Sequence, residues 1–121
     1  MSALPPPTDH DLLDAFITHL ETLETAVNKA NIEVRSLQQD FLTTQQLYQQ
    51  QLLPTLMASP NVASLISYQT EINRALRLLG MDVSFLQTAK HPMTVQKRQA
   101  HMRQRVQTLL EFSHGLKAQL E

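Results

Sequence analysis

An all-α fold, arranged as an antiparallel up-down four-helix bundle, is what this sequence predicts, on three observations. Apolar residues recur at alternating steps of three and four along most of the chain, which is the spacing of one helix face. Two glycines in 121 residues, with no tryptophan and abundant Leu, Gln, Thr and Ala, leave too few turn residues for an all-β or Rossmann-like fold. Proline, asparagine and serine fall between the periodic stretches, where helix ends belong. The length suits a single domain over 1–121.

Pro5-Pro6-Pro7 cannot lie inside a helix, so 1–7 reads as a stiff, extended lead-in. Thr8 is the first cap, with Asp9 and Asp11 in the first turn, where the helix dipole favours acids. The first helix is expected over 8–28, with Leu13, Phe16, Leu20, Leu23 and Val27 inward. The second is expected over 31–53, with Val34, Leu37, Phe41, Thr44, Tyr48 and Leu52 inward and Pro54 ending it. Ser59-Pro60 is a start signal, serine as cap and proline at the first helical position, for a third helix over 60–90. His91-Pro92 breaks the chain. A fourth helix is expected over 94–120, with Val95, Gln99, Met102, Val106, Leu109, Ser113, Leu116 and Leu120 inward.

The boundary at Asn28-Lys29-Ala30-Asn31 contains neither glycine nor proline, and the three-four rhythm runs on through it. A turn is favoured, because asparagine forms helix poorly and caps well. The alternative is one continuous helix, about 65 Å long at its 1.5 Å rise, in an intertwined helical dimer.

The third helix carries more apolar residues than one face needs. Leu65, Ile72, Leu76, Leu79, Val83 and Leu86 make a stripe sufficient for a bundle core. Leu78, Met81 and Phe85 form a second strip beside Arg74. That strip is either a contact with a second neighbouring helix or an exposed patch for another chain, where Met and Phe edged by Arg is a common composition. Gly80, inside the helix, is expected to permit close approach of a neighbour or a small bend. Asp82 is expected to be structural, paired with Arg98 or Arg105 if the last two helices fold back about His91-Pro92.

Charge is uneven. Residues 1–71 carry eight acids and two bases, whereas 72–110 carry seven bases against Asp82 alone. Lys97, Arg98, His101, Arg103 and Arg105 make the first half of the last helix basic. This is either a solvated face or a contact for an acidic protein surface. Nucleic acid is disfavoured, because no aromatic is interleaved with these bases and the acidic half would repel phosphates. No cysteine is present, so disulfide and thiol chemistry are absent. No apolar run approaches the roughly 18 residues of a membrane helix, and the first residues lack the pattern of a signal peptide. The expected location is cytoplasmic, with no membrane association. The five histidines show no metal-ligand spacing, and no phosphate-loop, dinucleotide or nucleophile-elbow motif occurs. No cofactor or metal is expected, and the chain reads as a non-enzyme.

The run from Tyr68 to Phe112, YQTEINRALRLLGMDVSFLQTAKHPMTVQKRQAHMRQRVQTLLEF, resembles the cyanobacterial heterocyst frequency control protein PatD family. The resemblance lies in Arg-Leu-Leu-Gly-Met-Asp-Val, then Phe-Leu-Gln-x-Ala, then spaced arginines on the last helix. It implies a regulator that binds the tubulin-like division protein FtsZ, an acidic GTPase, and modulates its assembly, with influence on cell division and heterocyst frequency. The partner-binding residues expected on this reading are Arg74, Leu78, Met81, Phe85, Lys97, Arg98 and Arg105. The alternatives are a structural homodimer with the second strip as its interface and a nucleic-acid-binding regulator.

Overall fold

The structure, a computed structural model, describes residues 5–121. Of the lead-in expected over 1–7, residues 1–4 lie outside the described residues, and 5–8 have no regular secondary structure. Every element of the described residues is helical: α1 (Asp9–Val27), α2 (Val34–Leu47), a π-helical turn (Tyr48–Leu52), α3 (Leu53–Met57), α4 (Val62–Thr88) and α5 (Pro92–Leu120). Helix α2, the π turn and α3 follow one another without a break, so the described residues form four helical rods.

Helix α1 begins with a capping box. The Thr8 hydroxyl accepts from the Asp11 backbone N–H at 3.1 Å, and the Asp11 carboxylate accepts from the Thr8 N–H at 3.1 Å. That backbone donor, more than the Thr8 side chain or His10, holds the Asp11 carboxyl below its ordinary range. Helix α1 ends at Val27, and 28–33 are not helical, so the continuous-helix alternative does not occur. The Asn28 side chain donates to the Glu24 carbonyl at 2.7 Å. The Gln99 side chain reaches across from α5 and donates to the Val27 and Lys29 carbonyls at 2.8 and 2.9 Å. The last carbonyls of a helix have no partner within it. Gln99 therefore supplies from another helix what the local sequence lacks.

The second rod departs from expectation at Pro54, which does not end it. Proline brings no N–H and crowds the carbonyl four residues back. Here the ladder is already widened: the Leu53 N–H bonds to the Tyr48 carbonyl, five residues earlier, and Pro54 sits in the first turn of α3. The turn also serves packing. Thr44, Tyr48, Leu52 and Leu56 are spaced by four and all fully buried. In a regular α-helix each step of four over-rotates by about 40°, and the wider turn returns the stripe to the core.

Helix α4 starts at Val62 rather than Pro60. Ser59 and Pro60 form the turn before it, with the Ser59 hydroxyl accepting from the Asn61 N–H. Helix α5 starts at Pro92 rather than Thr94. Proline takes the first helical turn, and His91 caps it by accepting from the Met93 N–H at 3.2 Å.

The expected inward stripes on α1 and α4 are buried throughout, as are Met102, Val106, Leu109, Ser113 and Leu116 on α5. Val95, Gln99 and Leu120 are half-buried. Helix α1 packs on α2 and α5, and α4 packs on α2, α3 and α5. One apolar cluster joins residues of all the rods. Phe16 and Tyr48, both fully buried, meet within it, ring centroids 5.2 Å apart. Burial pushes the Tyr48 phenol above its usual value. No helix is long and apolar enough to cross a membrane among the described residues.

Candidate functional site

Helix α4 buries nine of its residues toward α2 and α5. At 100° per residue, Arg74, Met81 and Phe85 fall on the side opposite that buried face. Met81 is 49% exposed and Phe85 45% exposed. Their surplus hydrophobicity thus faces solvent and does not serve a further helix of the same chain. Leu78 behaves differently from the exposed strip expected for it. It is half-buried in a small recess between α4 and α5, shared with Glu71, Arg74, Ala75, Arg105 and Thr108. Its position on the wheel lies nearer α5, so the last helix covers what the Met81 side leaves open.

The bases of α5 do not all reach solvent as free charges. Asp82 is 5% exposed. Its Oδ1 accepts from Arg98 Nη1 at 3.3 Å, and its Oδ2 lies 3.8 Å from Arg105 Nε. His101 Nδ1 lies 4.0 Å from Oδ1. Oδ2 and the Arg105 Nε have no hydrogen-bond partner within the described residues. They face each other just outside bonding distance. Arg98 also stacks on Phe85, its guanidinium carbon 4.5 Å from the ring centroid, a cation–π contact. Arg98 is therefore both the half-buried counter-charge of a buried carboxylate and the rim of the exposed patch. Arg74 and Lys97 are exposed, with no acidic group within 4 Å among the described residues.

On the α2 side the same patch continues into an open groove of about 880 Å³. Phe41 of α2 packs so closely on Gly80 that an added Cβ would lie 2.9 Å from its ring. Away from that contact the facing positions are Gln45, Gln49, Thr70, Asn73 and Ser84, and Arg74, Arg77, Met81 and Phe85 line the outer wall. Arg77 is a residue that the apolar periodicity does not single out. It stands three residues after Arg74, on the side of α4 away from the core, and that spacing was the available signal.

No group of three or more His, Cys, Asp or Glu lies together as metal ligands would among the described residues. No family model, curated protein or solved structure matches the chain.

Proposed function

We propose that this protein is a non-enzymatic, cytoplasmic binding module, an antiparallel up-down bundle that engages another protein through the outer face of α4 and the basic first half of α5. The exposure of Met81 and Phe85 beside Arg74 carries this reading. Most large apolar side chains of α4 are buried; Ile66, Met81 and Phe85 are exposed, and the last two have cations at their edge. An apolar contact edged by arginine suits a partner that is acidic around an apolar centre.

The resemblance of residues 68–112 to the PatD family supplies FtsZ as the partner and modulation of its assembly as the consequence, with effects on cell division and heterocyst frequency. Long-range attraction between exposed charges is screened over about 8 Å at physiological salt. Binding is therefore expected to weaken as ionic strength rises, chiefly through the association rate.

The test is co-sedimentation with GTP-assembled FtsZ. Because Arg98 and Arg105 hold Asp82, the informative variant reverses the free cations instead, Arg74→Glu with Lys97→Glu. The wild type is expected in the pellet at low salt. The double variant is expected in the supernatant, with its circular dichroism unchanged. A wild type that stays in the supernatant at low salt, or a variant that pellets equally well, would overturn the reading.

A further inference from the structure

We infer that the groove between α2 and α4 seats an acidic amphipathic helix supplied by a partner protein, which packs there as a fifth helix. The inference rests on the reading of this chain as a protein-binding module, but not on which protein supplies the helix.

The groove has the dimensions of a helix seat. It extends along α4 from Thr70 to Phe85, about 22 Å or four helical turns. Its depth follows from the residues on either side. Gly80 lets Phe41 close one point of the α2–α4 contact. Neutral polar side chains line the rest, with Leu76, almost wholly buried, among the lining residues. None of these would oppose an incoming apolar stripe with an unpaired charge.

Its chemistry selects the guest. Met81 and Phe85 offer apolar grip four residues apart, the spacing that an i, i+3, i+4 stripe of a guest helix covers. Arg74 and Arg77 are the charged residues of the lining, and no acid accompanies them. Among the described residues neither has an acidic group within 4 Å. A guest with carboxylates about one turn apart at the end nearer Arg74 would meet both guanidinium forks, which bind carboxylates in a fixed geometry.

A second copy of this chain fits less well. A two-fold contact through the face would offer Arg74 and Arg77 no carboxylate, because the groove lining of either copy holds no acid. Helix α1 of another copy offers acids, but Leu13, Phe16, Leu20 and Leu23 are already buried in its own core. It would bring charge without grip.

The probe is a fluorescein-labelled helical peptide of about 15 residues, with a leucine stripe and two glutamates one turn apart. A counterpart carries lysine in place of both glutamates. Fluorescence anisotropy with the full chain is expected to show binding of the acidic peptide only. Arg74→Glu with Arg77→Glu is expected to weaken it by about tenfold or more and to confer binding of the lysine peptide. That exchange of preference would not follow from simple loss of structure. Ser84→Trp, which fills the groove, is expected to abolish binding of the acidic peptide with the helical circular dichroism retained. Failure of the acidic peptide to bind up to millimolar concentration would overturn the inference. So would equal binding of the two peptides, or undiminished acidic-peptide binding to the double arginine variant. FtsZ that pellets the protein while the acidic peptide fails leaves the proposed function standing without the groove. The reverse outcome leaves the groove standing without FtsZ.

Discussion

Asp82 is a carboxylate almost removed from water, held by two guanidinium groups that are not. Its side chain is 7% exposed, whereas those of Arg98 and Arg105 are 32% and 30% exposed. Breaking a fully buried pair costs about 3–5 kcal/mol, and an exposed one about 0–1 kcal/mol. This cluster falls between, and its two cations back each other up. Arg105→Gln is expected to cost about 1 kcal/mol or less, since Arg98 still neutralises the carboxylate. Arg98→Gln is expected to cost somewhat more, because its contact with Phe85 goes too. The double variant is expected to exceed the sum of the single ones, by about 1–2 kcal/mol, since Asp82 then stays buried with His101 alone nearby. Urea denaturation of the four chains completes the cycle. Additive losses would mean that each arginine acts independently of the other.

Helices α4 and α5 each contain a glycine with an aromatic ring against it, and the two are expected to respond differently to alanine. In a helix interior alanine is favoured over glycine by about 1 kcal/mol. At Gly80 the new Cβ would lie 2.9 Å and 3.2 Å from atoms of the Phe41 ring. That ring is itself buried at the α2–α4 contact. Overpacking a core costs about 1–3 kcal/mol, so Gly80→Ala is expected to be destabilising overall. At Gly115 the Cβ would meet the Tyr68 ring at 2.8 Å. Tyr68 is only half-buried, so its ring has room to tilt toward solvent, and Gly115→Ala is expected to be near neutral. Thermal unfolding of the two variants checks the order. A Gly80→Ala chain that melts above wild type would show that the α2–α4 contact yields without loss. The same contact closes one point along the groove, so such a change would also alter the proposed seat.

For the molecule as a whole, oligomeric state is the most direct consequence of where its charges sit. The acidic residues lie mainly on the first two rods and the bases on α4 and α5. The exposed apolar patch lies among the bases, so a two-fold contact that covers it offers those bases no opposing acid. Light scattering at micromolar concentration is therefore expected to give a monomer at low salt. A dimer that Met81→Lys returns to monomer would instead put the homodimer reading ahead of the binding module.

The sequence by itself determined the number of helical rods, the inward stripes and most boundaries to within a few residues. Those features follow from local causes: a three-four apolar rhythm, a threonine cap with acids in the first turn, and proline, asparagine and serine between the periodic stretches. It also pointed to Gly80 as a close approach and to Asp82 as the odd acid among bases. The steps of four from Thr44 to Leu56 carried the π turn in plain view, but their meaning depends on holding one face against α1 and α4. Which side of α4 remains uncovered was decided by tertiary structure alone. So were the half-burial of Leu78, the sharing of Asp82 between two arginines, the capping of α1 by Gln99 and the groove beside Arg77. Each depends on which helices become neighbours and at what height they meet. A single helix's periodicity does not contain that information, because it fixes the width of an apolar face and not what comes to cover it.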